Sequence, residues 1–204
     1  MRPIICLVTA GSDHRTLPES IREAARAGVD LIQIREPALD AAELMRLTSR
    51  AVQDVKGTAC RIVVNDRYDV EVAANAAGVH LRANSYSAAR LRTIAPPGFL
   101  IGRSIHGLDE ATAAAKEGGC DYFVFGTVFR SERKPSGHHL AGLQALREVA
   151  ALVQTPVLAI GGISLENAGE AIAAGASGVA AIGLFRGPEP LAATVSALRR
   201  RIDT

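Results

Sequence analysis

The sequence predicts a single α/β domain, a (βα)8 TIM barrel. Three observations predict it. Apolar runs rich in β-branched residues recur along the chain. Seven of them stop at a polar or glycine cluster: Gln33-Ile34-Arg35-Glu36, Asn65-Asp66-Arg67, His80-Leu81-Arg82, Ser104-Ile105-His106, Gly126-Thr127, Gly161-Gly162 and Gly183. Alanine-rich stretches of helical length lie between the runs. The runs are apolar nearly throughout, as in strands covered on both faces and hence parallel. Parallel β/α proteins place their chemistry at the carboxyl ends of the strands, so the polar clusters are expected to converge on one face.

The elements follow in order. Residues 4–8 form a first strand. Residues 20–27 read as a helix stopped by Gly28, and 29–34 as a second strand. Residues 41–55 carry Leu44, Leu47, Ala51 and Val55 at helical spacing and end at Gly57. A short buried strand at 62–64 and a short helix at 70–76 come next. The remaining strands are 79–81, 100–104, 122–125, 157–160 and 179–182. Helices 88–93, 110–116, 143–152, 166–174 and 190–202 lie between and after them. Four helix ends share one chemistry: Ala27-Gly28-Val29-Asp30, Ala76-Ala77-Gly78-Val79, Gly118-Gly119-Cys120-Asp121 and Gly175-Ala176-Ser177-Gly178. Glycine there supplies the left-handed cap that turns the chain into the sheet. These ends mark the bottom of the barrel.

A doubly wound open sheet is the rival. The first strand's turn, Thr9-Ala10-Gly11-Ser12, lacks a GxGxxG fingerprint. The clusters also follow nearly every strand rather than one switch point. No linker or composition break divides the chain, so residues 1–204 are expected to form one domain.

Composition narrows the function classes. Net charge is +2 and aromatic residues are 4%, with no Trp. That gives no basic surface for nucleic acid or a membrane, and few rings on which bases stack. Three cysteines, Cys6, Cys60 and Cys120, are odd in number and lack CxxC spacing. They argue against a disulfide framework or a zinc site. Cys6 sits inside an apolar run as a small hydrophobe. No segment is long enough to span a bilayer. Met1-Arg2-Pro3 leads straight into a strand, so a cytoplasmic location is expected.

The clusters carry the candidate chemistry. Gly161-Gly162 and Gly183 follow the seventh and eighth strands, where barrel loops bind phosphate through backbone N–H groups. Tight turns without a ligand are the plain alternative. Asn65-Asp66-Arg67 offers a carboxylate for a hard cation and an amide for a phosphate. Equally, Asp66 and Asp69 are placed to cap the next helix. Gln33 and Arg35 share a face opposite Ile32 and Ile34. Polar residues inside a barrel are costly unless they meet a ligand or each other. His80, Ser104 and His106 raise the same question at two further strand ends. Residues 129–142, FRSERKPSGHHLAG, are the longest stretch without periodicity and read as a lid. Within it Lys134 and Ser131 suit an anionic substrate. A solvated charged loop is the alternative. His138 and His139 are adjacent and do not read as a metal site.

Together these segments resemble the thiamine-phosphate synthase and TenI superfamily. The matching motifs are QIR (33–35), VNDR-x-D (64–69), GVHL (78–81), IGRSIH (101–106), DYFVFGTVF (121–129), PVLAIGGI (156–163) and GVAAIGLF (178–185). They keep the family's order and spacing over essentially the whole chain. The resemblance implies a transferase that joins hydroxymethylpyrimidine diphosphate to thiazole phosphate and releases diphosphate. It implies that Arg35, Asn65, Ser104 and Lys134 hold the diphosphate, and that Asp66 is a Mg2+ ligand. Gln33 and His80 would line the pyrimidine pocket. Gly162, Ile182 and Gly183 would offer backbone to the thiazole phosphate, with Ser131 adding a hydroxyl. The partners implied are these two small phosphorylated substrates, with neither nucleic acid nor membrane, and a homo-oligomer is compatible.

Three positions depart from the pattern. The synthase motif Q-x-R-x-K has Pro37 at its lysine. The carboxylate expected after VHL is Ser85, next to Asn84, so the second Mg2+ ligand is missing. Arg82 and Arg133 are extra cations that either offset these losses or are surface charges. Tautomerases of the TenI branch, which need no metal, resemble the chain too. They carry a proton-transferring His where this chain has Thr127, and only His80, His138 or His139 could replace it. A lost electrostatic contact is easier to offset than a lost base. The synthase is therefore the first expectation, the tautomerase the second, and a non-catalytic binder of a thiamine-pathway phosphate the third.

Overall fold

The computed structural model describes residues 2–11, 16–130 and 140–203. Eight strands close into a barrel in sequence order: β1 (Ile4–Val8), β2 (Leu31–Ile34), β3 (Arg61–Asn65), β4 (Gly78–Leu81), β5 (Leu100–Ile105), β6 (Tyr122–Phe125), β7 (Val157–Ile160) and β8 (Gly178–Ala181). All neighbours are parallel, and β8 closes onto β1 with Val179 opposite Ile5. Eight helices surround them: α1 (Leu17–Ala27), α2 (Ala41–Asp54), α3 (Tyr68–Ala74), α4 (Ala88–Arg92), α5 (Leu108–Glu117), α6 (Gly142–Leu152), α7 (Ala168–Ala173) and α8 (Leu191–Ile202). The predicted (βα)8 barrel is the observed one. No described helix is long and apolar enough to cross a membrane.

The apolar runs look continuous because both faces of each strand are covered. Inward residues Cys6, Val8, Leu31, Val63, Val124, Leu158 and Ala180 fill the barrel. Outward residues Ile5, Ile32, Ile34, Ile62, Val64, Phe123 and Phe125 pack beneath the helices. A barrel of this kind is a packed core and not a pore. Burial pushes the Cys6 thiol far up and the Cys60 and Cys120 thiols up as well, so none is a ready nucleophile.

Several element ends differ from the sequence reading. α1 starts at Leu17 rather than 20, because Pro18 suits a first helical turn. α3 spans 68–74 and not 70–76, because Asn75 takes the left-handed cap at φ 51°. Gly78 therefore is not a cap: it lies in β4, where a Cβ would meet the Leu100 carbonyl oxygen at 2.1 Å. β8 stops at Ala181, since Gly183–Arg186 winds into a 3-10 turn that short apolar spacing did not reveal.

The bottom of the barrel shows why aspartate follows two of the glycine caps. Asp30 accepts from the Ile5 N–H at 2.7 Å, and Asp121 accepts from the Ile101 N–H at 2.7 Å. Each carboxylate also takes an arginine from a surrounding helix, Arg199 for Asp30 and Arg92 for Asp121. Arg199 further donates to the carbonyls of Pro3 (2.6 Å) and Gly28 (3.1 Å). It thereby ties α8 to the segments that lead into β1 and β2. Removing it leaves a carboxylate and two carbonyls short of donors. Arg199→Ala is expected to cost about 2–4 kcal/mol of stability, read as a lower urea midpoint; an unchanged midpoint would deny the clamp.

Glu71 lies 3% exposed on the inner side of α3. Burial raises its carboxyl to about 7. A raised carboxyl favours the fold while protonated. Its contribution is full below the unfolded value near 4.5 and is lost as pH rises through about 7. Glu71→Gln is therefore expected to be more stable than the parent at pH 8 by roughly 3 kcal/mol and equal to it near pH 4. Thermal melts at both pH values check this.

Candidate active site at the barrel mouth

The strand ends of β2 to β5 bring a band of polar side chains to the barrel interior. Gln33 on β2 is buried, and its Nε2 donates to Asn65 Oδ1 on β3 at 2.8 Å. In register, Asn65 lies opposite His80 on β4. His80 is 1% exposed, with Nε2 at 2.9 Å from Ser104 Oγ on β5 and Nδ1 at 3.2 Å from the Tyr122 hydroxyl on β6. Burial lowers the His80 pKa to about 4, against a smaller opposing pull from Asp66. Its ring is neutral at physiological pH. Gln33, Asn65, His80 and Ser104 thus form the convergent face that their strand positions imply. The amide pair and the imidazole–hydroxyl pair satisfy one another, which lowers the cost of burying them.

Arg35 sits just past β2 and is exposed at the rim. Its backbone N–H donates to Thr9 Oγ1 at 2.9 Å. That bond fixes the main chain from which the guanidinium extends. Ser104 and Asn65 are half-buried at the ends of β5 and β3.

Asp66 turns with φ 58°, a left-handed conformation that aspartate tolerates. The carboxylate caps no helix. Its Oδ2 accepts from Arg82 Nε at 2.6 Å, and its Oδ1 accepts the Ser85 hydroxyl. The Arg82 N–H in turn donates to Ser85 Oγ at 3.0 Å. Asp69 pairs with Arg67 at 2.6 Å, and backbone N–H groups in the first turn of α3, those of Val70 and of Asp69 itself, also hold its carboxyl low. So Asp66 and Ser85 do converge, and an arginine lies on the carboxylate. Asn84 is exposed beside them. Among the described residues no group of three or more His, Cys, Asp or Glu could hold a metal.

On the remaining arc lie the glycine ends. Gly161 and Gly162 have φ of 100° and 62°. A Cβ on Gly162 would lie 2.4 Å from the Arg130 carbonyl oxygen, and one on Gly161 would lie 2.5 Å from Thr127 Cγ2. These glycines let the segment after β6 lie against the end of β7, where Val128 N–H meets the Ile160 carbonyl at 2.9 Å. Close packing of backbone is thus one reason for the pair. Gly183 is different: nothing lies within 4 Å of where its side chain would begin. It follows Ile182 and opens the 3-10 turn, which Arg186 ties to the Ala10 carbonyl at 2.5 Å. A cavity of about 350 Å³ opens beside it, lined by Val8, Thr9, Gly11, Ile182, Phe185 and Arg186 among others.

Ser131, Arg133, Lys134, His138 and His139 lie outside the described residues. His106 Nδ1 lies 2.8 Å from the Gly126 carbonyl oxygen, a bond between neighbouring loops. Two contributors were missed in the sequence. Thr9 anchors Arg35, and Tyr122 reaches His80 across β5. The glycine inside the apolar β5 run was the available signal for the second, since such a glycine marks a close approach.

Comparison with known proteins shows the family. A sequence model described as thiamine monophosphate synthase matches residues 5–185. The thiamine-phosphate synthase of Methanoculleus marisnigri is 40% identical over 188 residues, covering 92% of this chain and 89% of that protein. That of Methanoregula boonei is 35% identical over 206 residues, covering 100% and 95%. The solved thiamine phosphate pyrophosphorylase of Pyrococcus furiosus superposes with a TM-score of 0.85 at 32% identity, covering 98% of this chain and 96% of that one. A 3-hexulose-6-phosphate synthase at 17% identity and a TM-score of 0.76 shares the barrel.

Proposed function

The chain belongs to the thiamine-phosphate synthase family and is a transferase of thiamine biosynthesis, and from this we propose how its mouth holds the two substrates. Hydroxymethylpyrimidine diphosphate lies over β2 to β5. Thiazole phosphate lies over the ends of β7 and β8. The observation that carries this reading is the polar band of Gln33, Asn65, His80 and Ser104, buried or half-buried across the ends of β2 to β5, with the exposed Arg35 just past the end of β2. Arg35, Asn65 and Ser104 hold the diphosphate, and Gln33 and His80 line the pyrimidine pocket. Gly162, Ile182 and Gly183 offer backbone to the thiazole phosphate. By resemblance, Lys134 joins the diphosphate contacts and Ser131 those of the thiazole phosphate. The enzyme works in the cytoplasm.

In a dissociative transfer the carbon–oxygen bond breaks with its electron pair leaving on the diphosphate. The thiazole nitrogen then captures the pyrimidine cation. Charge builds on the leaving oxygens, so pre-placed donors lower the barrier. A fixed mouth also holds the nitrogen close to the cation before it can meet water.

Members of the family typically use Mg2+. Here the hard donor set is Asp66 with the Ser85 hydroxyl, and Arg82 lies on the carboxylate. Mg2+ keeps several waters and takes one or two carboxylates together with substrate phosphate oxygens. One carboxylate therefore fits an ion that arrives with the diphosphate, with Asp66 as its protein ligand. Bound there, it would neutralise charge on the leaving group. Arg82 keeps positive charge at this spot throughout, because a guanidinium does not give up its proton.

The tautomerase reading needs a base. Thr127 is 6% exposed against Gly161, and a hydroxyl is no base near neutral pH. Both ring nitrogens of His80 are engaged and its pKa is low. Purified protein given both substrates and Mg2+ is expected to form thiamine phosphate. No product, with thiazole tautomer conversion unaffected by a chelator, would overturn the reading.

A further inference from the structure

Three residues stand side by side across the barrel. His80 on β4 is in register with Gly102 on β5, and Gly102 is in register with Tyr122 on β6. The middle position has no side chain. A Cβ there would lie 2.1 Å from Tyr122 Cζ and 2.4 Å from its hydroxyl oxygen. The phenol therefore crosses β5 through the space that glycine leaves, and its hydroxyl reaches His80 Nδ1 at 3.2 Å. The other ring nitrogen is 2.9 Å from Ser104 Oγ.

Hydrogen accounting assigns the proton. His80 is 1% exposed and its two ring nitrogens face two hydroxyls and no carboxylate, so the imidazole is neutral and carries one N–H. Burial raises the Tyr122 pKa, so its phenol keeps its hydrogen. Among the described residues the hydroxyl's hydrogen-bond partner is His80 Nδ1. A proton on Nδ1 would leave the phenol hydrogen without an acceptor, at a cost of about 1–3 kcal/mol in a buried place. With Nδ1 bare, Tyr122 donates to it and Nε2–H donates to Ser104 Oγ. The serine oxygen then accepts from the ring, and its own hydrogen is left to point to the mouth.

We propose that Tyr122 is a positioning residue: it fixes the proton on His80 Nε2 and thereby makes Ser104 a hydrogen-bond donor to the diphosphate. The proposal rests on the placement of the diphosphate over Ser104 given above. Diphosphate oxygens only accept, so a serine presenting a lone pair would oppose them. A serine presenting its hydrogen gains strength as negative charge builds on the leaving group. No proton moves along the chain; its order is set before substrate arrives.

The test is a long-range nitrogen–proton NMR spectrum of protein labelled with 15N-histidine, read with diphosphate titrations and kinetics. In the wild type, His80 is expected to show a bare, hydrogen-bonded Nδ1 and a protonated Nε2 across neutral pH. Tyr122→Phe is expected to move the Nδ1 resonance, weaken inorganic diphosphate binding and lower kcat about tenfold, with KM for thiazole phosphate unchanged. A protonated Nδ1 in the wild type would overturn the proposal, and that spectrum needs no variant to fold. So would wild-type kcat and diphosphate affinity in Tyr122→Phe. Full activity in Ser104→Ala, alongside the expected tautomer, would instead overturn the placement of the diphosphate, and the donor role with it.

Discussion

Arg35→Ala is expected to lower the kcat for thiamine phosphate formation by roughly 100- to 1000-fold, the scale of losing one charged group from a developing anion. Arg35 is the cation that follows directly from the buried polar band, and the bond from its N–H to Thr9 holds the main chain beneath it. Two residues on, the family's lysine is Pro37, so that neighbouring cation is not there to share the load. Arg35→Lys keeps the charge but loses the planar fork that grips two oxygens. It is expected to lose about tenfold. KM for thiazole phosphate is expected to stay as it was in both variants, as for an anion held over the β7–β8 arc. Steady-state kinetics with each substrate varied in turn measures this. Near-full activity in Arg35→Ala would remove the diphosphate from β2.

The second large effect concerns Asp66. Asp66→Asn is expected to abolish stimulation by Mg2+ and to lower turnover about 100-fold, the scale of one lost electrostatic contact. The neighbouring pair predicts the reverse change. Arg82 on Asp66 makes that spot formally neutral. The double variant Arg82→Gly, Ser85→Asp replaces it with two carboxylates. The attraction for a divalent ion then rises steeply even in a polar medium. Half-maximal activity should need about tenfold less Mg2+, and Mn2+ should bind without diphosphate, as seen by loss of its free electron-spin-resonance signal. If the double variant responds to metal as the parent does, Arg82 and Ser85 do not tune the site.

The barrel was legible because each strand carries its own evidence. Runs such as Ile62–Val64 and Phe123–Phe125 are buried on both faces, and their length and spacing survive folding. The ends were less legible. Asn75 does the capping expected of Gly78, and Gly78 instead admits β5. Gln33, Asn65, His80 and Ser104 stand out because polar residues at the tops of buried strands are costly and therefore conspicuous, and the structure brings them together in pairs. The pairings among them were not readable: that Gln33 meets Asn65, or that Arg82 covers Asp66, depends on strand register and side-chain reach. Gly161-Gly162 looked like a phosphate loop, and the structure adds that both positions must also admit the segment after Phe125. Tyr122 looked like an ordinary strand residue because its function depends on an absence one strand away, at Gly102.

The claim that joins all of this is that one barrel mouth holds two anions, the diphosphate over β2 to β5 and the thiazole phosphate over β7 and β8. A crystal structure of the protein with thiamine phosphate and diphosphate measures it directly. The account predicts diphosphate oxygens in contact with Arg35, Asn65 and Ser104, and the phosphate of thiamine phosphate on the backbone at Gly162 and Gly183. Diphosphate bound away from Arg35 and Ser104, or the two anions exchanged between the arcs, would contradict it.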